Sequence, residues 1–507
     1  MNTFSNTFRK LPIAATLWLA TAVAAPPQSA APAQGTAPLQ DVTHPRLLVS
    51  ENAMGMASTI SSNGAIDLTN PFFQNLGSNG RTCGTCHQPS EGWTVTPAGI
   101  QARFYASGGT DPIFRTVDGA HSPLADVSTV DARRVAYDML LSKGLIRVGI
   151  GIPANAEFEL VAVDEPYAYA SAKELSLFRR PLPSTNLKFL STVMWDGRET
   201  FKDPTSTDCL IGATPACFAS LHFDLADQAN GATLGHAQGA VALTSSQHDA
   251  IVSFESSLYT AQMYDDEAGV LGANGGGGGP QLLALQNSYF GINDAVSGDL
   301  HTGAAFNPAA MTMYTAWSRV PSGPSIGLAP LPRNKLLALG GDAGVMDVNA
   351  ARRAVARGEV LFNSKPIVIT GVKGLNDDLG IRSLQGTCTT CHDTPNAGNH
   401  SIPAPLDIGI ADASRRTPDM PLYTLRNMTT RETIQTTDPD RALVTGKWVD
   451  IGRFKGPTLR AVATRAPYFH NGSARDLVDV VQFYNSRFNI GLTTQEQDDL
   501  AAFLLAL

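Results

Sequence analysis

Apolar positions recur at helical spacing in several stretches of the chain. In "SSQHDAIVSFESSLYTAQ" (245–262), Ile251, Phe254 and Leu258 share one helical face, with Ser246 as a candidate N-cap. "VNAARRAVARGEVLFNS" (348–364) predicts a second helix, and "TTQEQDDLAAFLLAL" (493–507) a third, capped by Thr493 or Thr494. "DARRVAYDMLLSKGLIRVGIGIP" (131–153) reads as helix followed by a short strand, and "FELVAVDEPYAY" (158–169) as strand. Between these, "NGGGGGP" (274–280) cannot hold a helix or strand interior and predicts a flexible loop. The segment 263–345 around it is punctuated by Gly, Pro and Ser, and reads as an insertion or connector.

At the start, Arg9 and Lys10 precede the apolar stretch 11–24, which ends in Ala22-Val23-Ala24. A charged region, a short apolar region and a small-x-small triplet predict an export signal over 1–24. The Pro/Ala-rich residues 25–45 then read as a tether. No apolar run approaches the roughly 20 residues that cross a bilayer, so a periplasmic protein without a membrane span is expected after cleavage. The formal charge is −8, and no run of Lys or Arg offers a nucleic-acid footprint. The acidic balance suits a basic electron-transfer partner.

The chain has 6 cysteines, and four of them stand in "CGTCH" (83–87) and "CTTCH" (388–392). Two thiols on one helical turn reach the two vinyl groups of a porphyrin, and the following imidazole falls under the ring to ligate iron. Cys83, Cys86 and His87 are therefore expected to carry one covalent c-type haem, and Cys388, Cys391 and His392 another. Two knuckles sharing a zinc would not call for His after both pairs. A redox dithiol would sit in a βαβ context that the pattern lacks. The remaining pair, Cys209 and Cys217, either closes a short disulfide loop or stays as free thiols. The expected fold is mainly α: two c-type cytochrome domains, each around one haem, with small β elements and long inserted loops. The domains are set at 46–345, with insertions at about 98–174 and 263–345, and at 346–507.

Beside the two haem sites, "VMWDGRETF" (193–201) and "FKGPTLRAVATRAPYFHNGSARDLVDVVQFYN" (454–485) resemble the bacterial di-haem cytochrome c peroxidase/MauG family. The likeness covers both haem regions but not most of 98–174 or 263–345. It implies an N-terminal haem, held by His87, whose open face meets hydrogen peroxide. It implies a second haem, held by His392, that passes electrons, with Trp195 as the bridging indole, or else as core packing. Arg198 would pair with a haem propionate, or form a surface ion pair. In the family the second haem's other ligand follows the "PYFH" His by fourteen positions, as Met in the peroxidases and Tyr in MauG. Counted from His470, whose own role is a hydrogen bond near the second haem, that position is Tyr484; Met420 and Met428 are the alternatives.

The distal pocket of the first haem departs from the family pattern of a Gln and, ten residues on, a Glu. Here Gln228 is followed at that distance by Gln238, and an amide cannot act as a base. His236 can, so Gln228 is expected to orient peroxide while His236 moves the proton. Alternatively His236 ligates the first iron, or faces solvent. The resemblance also implies a calcium ion, for which Asn186 and the carbonyls of Arg465 and Pro467 match loosely.

The expected function is that of a periplasmic di-haem oxidoreductase reacting with hydrogen peroxide. Its electron donor would be a small cytochrome c or cupredoxin, or its substrate a partner protein. The alternative is a non-enzymatic di-haem electron carrier with both irons closed.

Overall fold

The computed structural model describes residues 43–200, 216–321 and 347–507, and for 216–220 the backbone alone. The expected export signal, most of the tether, Cys209 and the side chain of Cys217 lie outside the described residues.

Among the described residues the fold mixes helices with four small antiparallel sheets. β1 (Leu48–Asn52), β2 (Gly55–Ser61), β6 (Leu258–Asp265) and β7 (Gly269–Val270) form one sheet in the order β1-β2-β6-β7. β3 (Ile146–Ile150) pairs with β5 (Leu175–Arg179), and β8 (Ile367–Thr370) with β9 (Ser383–Gly386). The fourth sheet joins distant parts of the chain. β4 (Phe158–Asp164) pairs with β10 (Leu422–Asn427), in register Tyr423↔Val163, and β11 (Thr433–Thr436) continues it.

The helices at 348–364 and 494–505 form where the apolar spacing places them. Asp347 caps the first through the Ala350 N–H, and Thr493 with Glu496 makes a capping box for the second. They cross closely because Gly358 carries no side chain: a Cβ there would lie 2.0 Å from the Asp499 carbonyl oxygen. The 245–262 stretch departs from its expectation. Its helix runs Ser245–Ser256 behind a Thr244–Gln247 capping box, and Leu258 opens strand β6 instead. Helical spacing over only three apolar residues does not distinguish a helix that ends from one that continues.

The glycine run also behaves differently from a flexible loop. Gly277 donates to the Met313 carbonyl, Gly278 to that of Leu271 and Gly279 to that of Gln262. At Gly278 a Cβ would lie 2.2 Å from the Leu271 Cβ, so the run is a close backbone crossing that only glycine permits. Downstream, Met311, Tyr314 and Trp317 are buried in the same core as Phe362 and Phe503. The segment thus supplies side chains to the core behind the second Cys-x-x-Cys-His site.

Candidate functional site

The two Cys-x-x-Cys-His sites are built alike. Each reads Thr-Cys-x-Thr-Cys-His, and the two threonines cap one another. The Thr82 N–H donates to Thr85 Oγ1 at 2.9 Å, and the Thr387 N–H to Thr390 Oγ1 at 3.0 Å. The turn they close holds both thiols on one short helix, Cys83–Cys86 or Cys388–Thr390 with Cys391 at its end. Six residues past each His a carbonyl receives its Nδ1–H: Trp93 for His87 at 3.1 Å, Gly398 for His392 at 2.8 Å. That bond fixes the tautomer and leaves each Nε2 with a free lone pair.

Burial lowers the pKa of His87 and takes that of His392 to about 4, so both rings are neutral, as ligands must be. Burial also raises the thiols of Cys83, Cys388 and Cys391 to about 12 and that of Cys86 to about 11. Thiols held so far from ionisation are poor redox nucleophiles. Among the described residues the four cysteines form no common metal cluster. Paired neutral thiols beside a neutral imidazole with a free Nε2 fit covalent haem at both sites.

The first site opens onto a cleft of about 1670 Å³ of empty space, its mouth included. Cys83, Cys86 and His87 line one part of it, and Phe72, Trp93 and Phe254 pack edge to face behind His87. The Ala216–Gly235 helix and the residues just after it line the same cleft with Gln228, Ala229, Ala232 and His236. His236 is tied down: its Nδ1 lies 2.6 Å from Asp118 Oδ2. Asp118 is buried and pairs at 2.5 Å with Arg81, which also lines the cleft. The bonds from His236 and Arg81 hold the Asp118 carboxyl below the usual range against the cost of burial, so it stays an anion. Gln238, by contrast, is exposed and turned away, its amide oxygen accepting from Asn79 at 3.3 Å. Its backbone lies in the left-handed region, φ 53°, which turns the chain out of the cleft.

Trp195 and Arg198 also line this cleft. Trp195 donates its indole N–H to the Arg180 carbonyl at 2.8 Å and packs on a cluster that includes Phe454, Phe483 and Tyr484. Arg198 pairs at 2.7 Å with Asp196, a fully buried carboxylate shared with Arg179, so its ion pair is not a surface one. His470 is fully buried, 4.2 Å ring to ring from Phe454 and 6.4 Å from Trp195. Among the described residues neither of its ring nitrogens has a protein hydrogen-bond partner, and burial lowers its pKa to about 4.

Tyr484 faces the second site. Burial, and then the neighbouring Cys391 and Cys388, push its phenol well above the ordinary range. The alternative methionines are elsewhere: Met420 is buried among Met139, Leu145 and Phe178, and Met428 is half exposed.

Two of the three expected calcium donors are already engaged by protein groups. Asn186 accepts from the Thr260 N–H and donates to the Thr260 carbonyl, which engages both ends of its amide. Arg180 donates to the Arg465 carbonyl at 3.3 Å and to that of Ala466 at 3.4 Å.

Three residues of the cleft escape sequence reasoning: Asp118, Arg81 and Glu255. Asp118 lies in the region outside the family likeness, and Arg81 looks like an ordinary loop residue two positions before Cys83. Glu255 looks like the polar face of a surface helix, yet it is buried on the cleft wall and raised by burial to about 8.

No protein-family model matches the chain. It is 33% identical over 140 residues to cytochrome-c peroxidase IdrP1 of Denitromonas iodatirespirans, covering 24% of this chain and 36% of that protein. It is 29% identical over 181 residues to IdrP1 of Pseudomonas sp. (strain SCT), covering 32% and 41%. With cytochrome-c peroxidase IdrP2 of Denitromonas iodatirespirans the identity is 28% over 141 residues, covering 26% and 38%. The aligned chain thus spans less than half the length of these relatives. Partial and low in identity, the matches support a cytochrome c peroxidase family for this chain and do not single out MauG.

Proposed function

We propose that the protein is an exported di-haem c-type peroxidase, reducing hydrogen peroxide at the Cys83–His87 site and receiving electrons through the Cys388–His392 site. The observation that supports this best is that Gln228 and the His236–Asp118 pair line the same cleft as His87. Bound haem would supply at each site an iron able to exchange electrons. The reaction consumes one peroxide, two electrons and two protons and releases two waters.

The chain's own residues divide the rest of the work. His87 Nε2 would hold the haem iron. The Gln228 amide orients peroxide by hydrogen bonding. His236 carries the proton from the inner to the outer oxygen, its ring fixed by the bond to Asp118. Trp195 lies between the cleft and the Tyr484 cluster, and offers the aromatic step for electrons. Their source is proposed as a small exported cytochrome c or cupredoxin.

One observation favours a second reading, oxidation of residues on a partner protein. Tyr484 beside the second pair of thiols would give a hard oxygen ligand. Such a ligand favours the oxidised iron over the reduced, whereas a thioether would raise the potential. Both readings are tested by mass and haem content of the purified protein, followed by peroxide consumption with a reduced cytochrome c. Two covalent haems and turnover support the peroxidase. Two haems with peroxide consumed only in the presence of an oxidisable protein support the second reading, and no consumption contradicts both.

A further inference from the structure

Away from the cleft, three chemistry-bearing side chains meet in the interior: Asp294, Asp393 and His400. One ligand atom from each lies within 4.8 Å of those of the other two. Asp294 and Asp393 have no exposed surface, and His400 is 7% exposed. Each carboxylate has one oxygen fixed by backbone and the other left over. Asp294 Oδ1 accepts from the N–H groups of Val296 at 3.1 Å and Ser297 at 2.6 Å, and Asp393 Oδ1 from that of Ser401 at 2.7 Å. Among the described residues Asp294 Oδ2, Asp393 Oδ2 and His400 Nδ1 have no hydrogen-bond partner, and His400 Nδ1 lies 3.4 Å from Asp393 Oδ2. A fourth oxygen, Ser401 Oγ, is buried beside the Asp393 carboxyl.

Among the described residues no Lys or Arg is bonded to either carboxylate, so the two can be held as anions in the interior only at a cost. A divalent cation removes it. We propose that Asp294, Asp393 and His400 bind one divalent metal ion, zinc by preference, with Ser401 Oγ or water completing the site. One imidazole and two carboxylates suit zinc's four-coordinate N/O chemistry, whereas calcium takes oxygen donors alone.

The site's place in the chain gives it a structural role. Asp393 directly follows His392, and His400 lies two residues beyond Gly398, whose carbonyl orients that ring. Asp294 comes from the distant 290–307 loop, which Asn293 already ties to the Asp393 carbonyl at 3.1 Å. The ion would staple that loop to the turn that aims His392. This assignment stands apart from the peroxidase reading and holds whatever the haem chemistry is.

The test uses the full holoprotein, purified without chelator. Elemental analysis should find one zinc per chain, and zinc-edge X-ray absorption should show nitrogen and oxygen neighbours without sulfur. After chelation, zinc should rebind with a stoichiometry of one. Asp294→Asn and His400→Gln should each weaken that binding by more than the roughly 10- to 100-fold lost with an outer-shell partner. Sulfur in the zinc shell would overturn the assignment. So would the absence of stoichiometric metal in the wild-type protein together with no saturable binding of zinc or manganese, whether or not the variants fold.

Discussion

His236 Nδ1 stands 2.6 Å from Asp118 Oδ2, with Asp118 buried and His236 at the edge of the cleft that His87 also lines. A base held by a buried anion is the arrangement that a proton shuttle requires. His236→Ala should lower kcat/KM for peroxide by about 10²- to 10⁴-fold, the usual contribution of a positioned acid–base group. Asp118→Asn keeps the hydrogen bond but loses the anion, and should lower kcat/KM less than His236→Ala does. Were His236 instead a ligand closing the first iron, His236→Ala would open that haem to cyanide. Cyanide titration of the wild type and the variant separates the two.

Trp195 contacts both the cleft and the cluster containing Tyr484. Trp195→Phe should leave the spectra of both haems unchanged and slow electron transfer between them. Flash reduction of the second haem with detection at the first measures this directly. An unchanged rate would reduce Trp195 to a packing residue.

Tyr484→Phe should alter the spectrum of the second haem alone. No change would assign Tyr484 to packing and reopen the choice of ligand, although Met420 and Met428 lie too poorly for the role.

Glu255 gives a pH signature. Burial raises its carboxyl from 4.5 to about 8, so the folded protein keeps a proton that the unfolded chain releases. The sign follows from linkage: stability from this group is fully present below pH 4.5, declines as pH rises toward 8, and is flat above it. Glu255→Gln cannot ionise and should flatten the dependence of Tm on pH across that window. An identical slope in wild type and variant would show that Glu255 is not the group responsible.

The parts of this structure legible in the sequence are local. Thr-Cys-x-Thr-Cys-His is a complete instruction, because the threonine caps, both thiols and the imidazole lie within one turn. The helices at 348–364 and 494–505 declare themselves by spacing and capping residues. What the sequence conceals is long-range or depends on backbone direction. Asp118 reaches His236 across more than a hundred residues, and no local pattern marks it. Gln238 has the family's spacing but not its direction, since a positive φ turns it outward. Asn186 matches a calcium donor by type, yet its amide is claimed by Thr260 on a neighbouring strand. The glycine run looks like slack in composition and is a tight crossing in space.

The most direct test of the central claim is a stopped-flow mixing of the purified ferric protein with one equivalent of hydrogen peroxide. Wild type and His236→Ala are followed in the haem absorption bands over milliseconds. The account predicts a rapid spectral change in the wild type that slows by at least about 10²-fold in the variant. An identical time course in the two proteins, or a wild type that leaves peroxide unconsumed even after one haem has been reduced, would contradict it.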